Sequence, residues 1–111
     1  MISDDQARTC ETYGIDPVAC ESNLKVGIAL ASLEQLPLNA LRHRPEAGTA
    51  GWYIWGGELS DAPDFFQPLH ASHLDEYVPN LLPYLALAPA WRVLLAPDQV
   101  EVWHDPGLLV E

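Results

Sequence analysis

The stretch that decides the fold is Gly51-Trp-Tyr-Ile-Trp-Gly-Gly-Glu58, in which four large side chains follow one another. Side chains alternate between the two faces of a β-strand, so Trp52 and Ile54 share one face and Tyr53 and Trp55 share the other. Large apolar residues on both faces predict a strand that is covered on both sides, or one whose outer face meets a partner. The two glycines that follow end the strand or introduce a bulge.

Period-two patterns elsewhere in the chain predict three more strands. The first spans Lys25 to Ala31, where larger apolar residues alternate with mostly small ones. The other two, Trp91–Ala96 and Val100–Trp103, are separated by Pro97-Asp98-Gln99, and proline at the second position is typical of a type I turn in a hairpin. We therefore expect an α+β fold, with a small, mostly antiparallel sheet of about four strands and helices packed on one face.

Helix signals dominate the N-terminal part of the chain. Ser3 and Gln6 have the spacing of a capping box, which predicts a helix that ends near Gly14. Asp16-Pro17 combines an N-cap residue with a proline in the first turn, and it predicts a second helix over 18–24.

Prolines divide the middle of the chain. They separate two predicted helices, one at about 71–77 and one that runs from 79 or 80 to 87. Residues 33–50 contain two prolines and a glycine, so we expect a partly ordered connection there, with a helical turn at 38–41.

Length and charge limit the function. With 111 residues, the chain is long enough for one domain but not for two independent cores. The formal net charge is −11, and residues 45–111 contain ten acids and one base, Arg92. A strong excess of acids argues against nucleic acid and an anionic membrane surface as partners, because both are bound through Lys and Arg. The imbalance predicts either solubility alone or a docking surface for a basic partner.

Signals for export and membrane insertion are missing from the sequence. No apolar run approaches the length of about 20 residues that a membrane span needs, and the first residues lack the pattern of a secretory signal. Two cysteines, Cys10 and Cys20, are too few for a disulfide-rich secreted scaffold. We therefore expect reduced thiols and a cytoplasmic protein.

Two groups of residues could carry chemistry. His70-Ala-Ser-His73 places two imidazoles three residues apart, but zinc needs further ligands that this spacing does not supply. Glu58, Asp61 and Asp64 form an acidic loop (residues 58–64) without the pattern of a calcium loop. We therefore expect no catalytic residue and no cofactor. The alternative is a small metal-dependent or acid–base enzyme at His70 and His73.

Several short strings together resemble a known bacterial family. They are Lys25-Val-Gly, Gly51–Glu58, Phe66-Gln-Pro-Leu-His70-Ala-Ser-His73-Leu, Pro89-Ala-Trp-Arg92, Ala96-Pro-Asp98 and Glu101-Val-Trp103-His-Asp105. The pattern resembles the immunity-protein-thirty-three-like domain, a domain of unknown function grouped with predicted immunity proteins of polymorphic toxin systems. The likeness covers residues 25 to 109, with Ala50 where the family pattern has serine.

The resemblance implies a single cytosolic domain without catalytic activity that binds and neutralises a cognate toxin. We therefore divide residues 1–111 into a helical N-terminal extension, 1–24, and a family-like α+β core, 25–109. An acidic protein suits a basic toxin, because opposite potentials speed association. The candidate partner-binding residues are Trp55, Glu58, Asp61, Asp64, Asp75 and Glu76. A homodimer joined through an exposed tryptophan edge is the third interpretation.

Overall fold

One six-stranded sheet organises the computed structural model, which describes residues 2–109. The strands are β1 (Lys25–Ile28), β2 (Leu38–Arg42), β3 (Thr49–Gly56), β4 (Gln67–His70), β5 (Trp91–Ala96) and β6 (Gln99–His104). The α-helices are α1 (Asp4–Tyr13) and α2 (Leu74–Tyr77). Short 3-10 helices cover Leu30–Ser32, Ala71–His73, Pro79–Tyr84 and Pro106–Leu109. The predicted α+β class is confirmed.

The sheet is larger and more mixed than predicted. Its strand order is β4-β1-β3-β2-β5-β6, so it has six strands rather than about four. Four neighbouring pairs are antiparallel, but β1 runs parallel to β3. The sequence did not indicate β2 and β4. The sequence did not predict β4 because it contains Pro68, which is unusual within a strand. β4 lies at an edge of the sheet, where a residue without an N–H is tolerated.

The helical turn expected at 38–41 is wrong, because β2 is a central strand between β3 and β5. Two polar residues, Asn39 and Arg42, interrupt its apolar pattern. The Asn39 side-chain amide donates to the carbonyl oxygens of Pro37 and Gly57, at 3.1 and 3.2 Å. Polar side chains can occupy a covered strand when the fold supplies such acceptors.

The N-terminal helix has the ends that the sequence predicted. The Gln6 amide donates to Ser3 Oγ and the Ser3 amide donates to Gln6 Oε1, each at 3.1 Å, which confirms the capping box. Gly14 follows α1 in the left-handed conformation, at φ 69°.

The second helix predicted over 18–24 is wrong, since this segment contains no helix. The Val18 amide donates to the Ala86 carbonyl oxygen, and the carbonyl oxygens of Val18 and Ala19 accept from Arg42. Partners distant in the chain therefore take the place of helical hydrogen bonds.

The predicted helix at 71–77 forms over its whole length but is partly 3-10, and the one predicted to end at 87 is shorter and 3-10 throughout. The first consists of a 3-10 turn followed by the single turn of α2. The second is a 3-10 helix that ends at Tyr84 and contains Pro83, whose missing N–H cannot support an α-helix.

The sheet has a large core on one side and a small one on the other. On the first, α1, α2 and residues 79–87 pack against Trp52 and Ile54. On the second, Trp55 and its neighbours are covered by Phe65, Phe66 and Leu108. We call these the helical side and the loop side.

Candidate functional site

The three acids of the acidic loop are exposed. Glu58, Asp61 and Asp64 follow β3 in a segment without helix or strand. The loop is tightened near its end by a turn, in which the Phe65 amide donates to the Ala62 carbonyl oxygen at 3.1 Å. The carboxylates are therefore accessible. The residue that follows the loop, Phe65, packs on the loop side of the sheet.

Asp75 and Glu76 are also exposed, but they belong to a different layer. They lie on α2, which packs on the helical side through Leu74 and is followed there by the buried Val78, whereas the acidic loop leads into the loop side. Glu76 Oε2 is 3.2 Å from Nδ1 of His73, which forms an ion pair when that imidazole is protonated. The acidic loop therefore leads to the smaller core of the sheet, whereas Asp75 and Glu76 belong to a helix that covers the larger core.

Both tryptophans of β3 are buried. Trp52 is fully enclosed, and Trp55 is only 4% exposed because Phe66 packs edge to face against it, with 6.0 Å between ring centres. The expectation that Trp55 is available to a partner is therefore wrong. The exposed aromatics on the strands are Tyr53 of β3 and Trp103 of β6, and Tyr13 and Tyr77 are exposed at the ends of the two α-helices.

Tyr53 is the centre of the open part of the loop side. Its ring lies between those of His43, at 5.4 Å, and Phe66, at 5.2 Å. Grooves of about 290 and 210 Å³ border it, and Thr49 and Gly51 line both. Because β1 pairs with β3, the Lys25-Val-Gly string and the Gly51-Trp string of the resemblance meet here. Strand alternation could have identified Tyr53, since it faces away from Trp52.

The histidine pair does not assemble a metal site. His70 and His73 are both exposed, and His73 is engaged with Glu76. Across residues 2–109, no three His, Cys, Asp or Glu side chains are placed to hold a metal ion. Within these residues, the structure therefore offers no set of metal ligands for the metal-dependent enzyme considered as the alternative.

Arg42 is a buried cation in a ring of backbone carbonyls, and sequence analysis missed this role. Its side chain is 1% exposed and donates to carbonyl oxygens on three segments. The acceptors are Ala50 at 2.9 Å, Val18 at 2.7 Å, Ala19 at 3.1 Å, Leu87 at 2.9 Å and Leu85 at 3.4 Å. The guanidinium therefore joins β3 to segments 18–19 and 85–87, which are not strands of the sheet.

Both cysteines lie near this cation and are free. Burial lowers the pKa of Arg42, and the nearby Cys20 and Cys10 act in the opposite direction. Burial also raises the pKa of both thiols, which the Arg42 charge only partly offsets. A thiol with a raised pKa is protonated at neutral pH and is a poor nucleophile, so these cysteines fit a structural role.

Comparison with known proteins identifies one family. The model of a family described as the Imm33-like domain matches residues 5–105, which include α1 as well as most of the stretch that carried the resemblance. No curated protein and no solved structure matches the chain. None of the helices within residues 2–109 has both the length and the apolar character needed to cross a membrane.

Proposed function

Since the chain belongs to the Imm33-like domain family, we propose that it is a non-enzymatic immunity protein that neutralises a cognate bacterial toxin by binding it. The family match over residues 5–105 is the observation that carries this proposal. We propose the cytoplasm as its compartment, since the two free thiols suit the reducing conditions there.

The charge of the exposed surface supports a basic toxin as partner. Of the five basic residues, Arg42 is buried and Arg92 pairs with Asp105 at 3.2 Å. Two cations are thus engaged within the fold, whereas the acids of the acidic loop and of α2 remain exposed. Complementary potentials raise the association rate and disfavour wrong partners.

Growth rescue tests the proposal. A tagged chain is expressed in its own cells, proteins captured at low salt are released with high salt, and each is identified by mass spectrometry. Each released protein is then expressed alone and together with the chain. We expect one basic protein that stops growth alone and is harmless in the presence of the chain. Released proteins that are all harmless would contradict the proposal, as would a toxic one that the chain does not neutralise.

Charge reversal identifies which acids face the toxin. We propose Glu58, Asp61 and Asp64 of the acidic loop, with Asp75 and Glu76 of α2, as contact residues. Asp61→Lys with Asp64→Lys is expected to slow association with the captured toxin about tenfold at low salt. Asp4→Lys with Asp5→Lys, in the first turn of α1, is the control with the same change in charge. Equal slowing by both pairs would indicate attraction by net charge alone.

The outer edge of β6 favours a second proposal, self-association into a homodimer. β6 is the last strand of the sheet, and its Val100 and Trp103 are exposed. An unpaired strand edge is a template for another chain. Light scattering over about a hundredfold range of concentration tests this, since association depends on concentration. A constant monomer mass would exclude the homodimer.

A further inference from the structure

An apolar groove lies on the helical side, where the segment before β2 meets the end of α2 and the β5–β6 turn. Its volume is about 410 Å³, and its walls include Leu33, Leu36, Leu38, Tyr77, Val78 and Leu95. We call it the leucine groove. Three segments that are distant in the sequence contribute to it, so no local motif could have indicated it.

Two large apolar side chains on its walls are not buried by the fold. Leu36 is 62% exposed and Tyr77 is 47% exposed, whereas Val78, which also lines the groove, is 4% exposed. Apolar grooves with a buried floor and exposed walls are where binding energy concentrates in interfaces, particularly when a polar rim surrounds them.

The rim of the leucine groove is acidic. Glu34, Glu76 and Asp98 are exposed, and each is the chain neighbour of a residue that lines the groove. The segments that form it, 32–39, 76–81 and 94–98, contain no Lys, Arg or His, and the basic group beside the rim is His73, 3.2 Å from Glu76. An apolar floor inside a ring of carboxylates is complementary to an apolar side chain that has basic neighbours.

We propose that the leucine groove receives a large apolar side chain of the partner toxin, flanked there by lysine or arginine. This inference rests on the proposed function and locates its main contact. A second copy of the chain does not fit as the occupant, because a symmetric dimer through the groove brings the same acidic rim against itself. The exposed walls supply the apolar contact, and the rim selects basic flanks.

A pair of peptides tests the chemistry of the groove directly. One has a central tryptophan between lysines, and the other has the same tryptophan between glutamates. Each is titrated into the isotope-labelled full chain and followed by amide chemical shifts. We expect the lysine peptide to shift residues 33–38, 77–80 and 95–98, and the glutamate peptide to leave them unchanged. Shifts confined to the acidic loop, equal shifts from both peptides, or no shifts would each overturn the proposal.

Two leucines of matched exposure give the variant test. Leu36 is 62% exposed in the groove, and Leu59 is 60% exposed in the acidic loop. Leu36→Ser is expected to weaken binding of the lysine peptide about tenfold, and Leu59→Ser to leave it unchanged. Glu34→Lys, which changes only the rim, is expected to weaken binding by a similar factor. Thermal unfolding of each variant checks that the fold is retained.

The same variants separate this inference from the proposed function. If Leu36→Ser and Glu34→Lys neutralise the captured toxin as well as the unchanged chain does, the groove is not the docking site and the immunity function stands. If no captured protein is toxic, the immunity function fails, and the peptide titration still decides what the groove binds.

Discussion

Trp52 and Trp55 lie on the same strand, face opposite sides of the sheet, and are held in different ways. Trp52 is fully buried, its Nε1 donates to the Leu85 carbonyl oxygen at 3.0 Å, and Arg42 lies 5.6 Å from its ring centre. Trp55 is 4% exposed and packs against Phe66. The helical side therefore combines packing with a buried polar network, whereas the loop side depends on aromatic packing under a thin cover.

The comparison shows what a second apolar face on a strand requires. Trp55 needs neither a layer of helices nor a partner, because Phe65, Phe66 and the turn at Leu108 cover it. Tyr53 lies at the border of the same cover and stays 38% exposed. On this side, the loop rather than the strand decides which aromatic ring is buried.

Removal of the Arg42 guanidinium is the strongest way to break the helical side. Arg42→Met keeps an apolar stem but leaves the surrounding carbonyl oxygens without their charged donor. Each unsatisfied buried group costs about 1–3 kcal/mol, so we expect the free energy of unfolding to fall by about 4 kcal/mol or more. Denaturant unfolding followed by tryptophan fluorescence measures this change.

Arg44→Met is the matched control for Arg42→Met. Arg44 is exposed, and its replacement is expected to change the free energy of unfolding by less than about 0.5 kcal/mol. If both variants lost the same small amount, the carbonyl ring would not be a major source of stability.

Parallel truncation of the two tryptophans sharpens the comparison. Trp52→Phe and Trp55→Phe remove the same atoms, but only the first removes the hydrogen bond to Leu85. We expect the free energy of unfolding to fall by about 3 kcal/mol for Trp52→Phe and by about 1 kcal/mol for Trp55→Phe. Thermal and denaturant unfolding check the order, and equal losses would mean that the polar network adds little.

Overpacking at Gly27 probes how rigid the loop side is. A Cβ atom at Gly27 would lie 2.7 Å from Cδ1 of Tyr53, so the ring must move. Gly27→Ala is expected to lower the free energy of unfolding by about 1 kcal/mol. In a Tyr53→Ala background the same change should cost almost nothing, because the obstructing ring is gone. If Gly27→Ala lowered the free energy of unfolding by the same amount in that background, the cost would come from the backbone and not from the Tyr53 ring.

Sequence patterns predicted those elements of the fold whose stabilising interactions lie close together in the chain. The alternation in β3 correctly assigned Trp52 and Ile54 to one face, and the Pro97-Asp98 turn correctly placed the hairpin of β5 and β6. The capping box at Ser3 likewise marked the start of α1. In each case the deciding interaction lies within a few residues in the chain.

The elements that sequence analysis missed depend on distant partners. β2 contains an arginine that no apolar pattern would bury, and its acceptors at Val18 and Leu87 lie far away in the chain. For the candidate site, composition indicated the exposed acids. Trp55 is buried because residues 65–66 fold back over the sheet, and the alternation of side chains within β3 does not indicate this.

The central position of β2 has a consequence for synthesis. β2 pairs on one edge with β3, which follows it closely, and on the other with β5, which begins only at Trp91. At about 5–20 residues per second, the ribosome takes several seconds to add the intervening chain. During that interval one edge of β2 has no partner, and the 85–87 carbonyls that receive Arg42 are absent or newly made. The nascent chain therefore completes its core late, after most of it has left the ribosome.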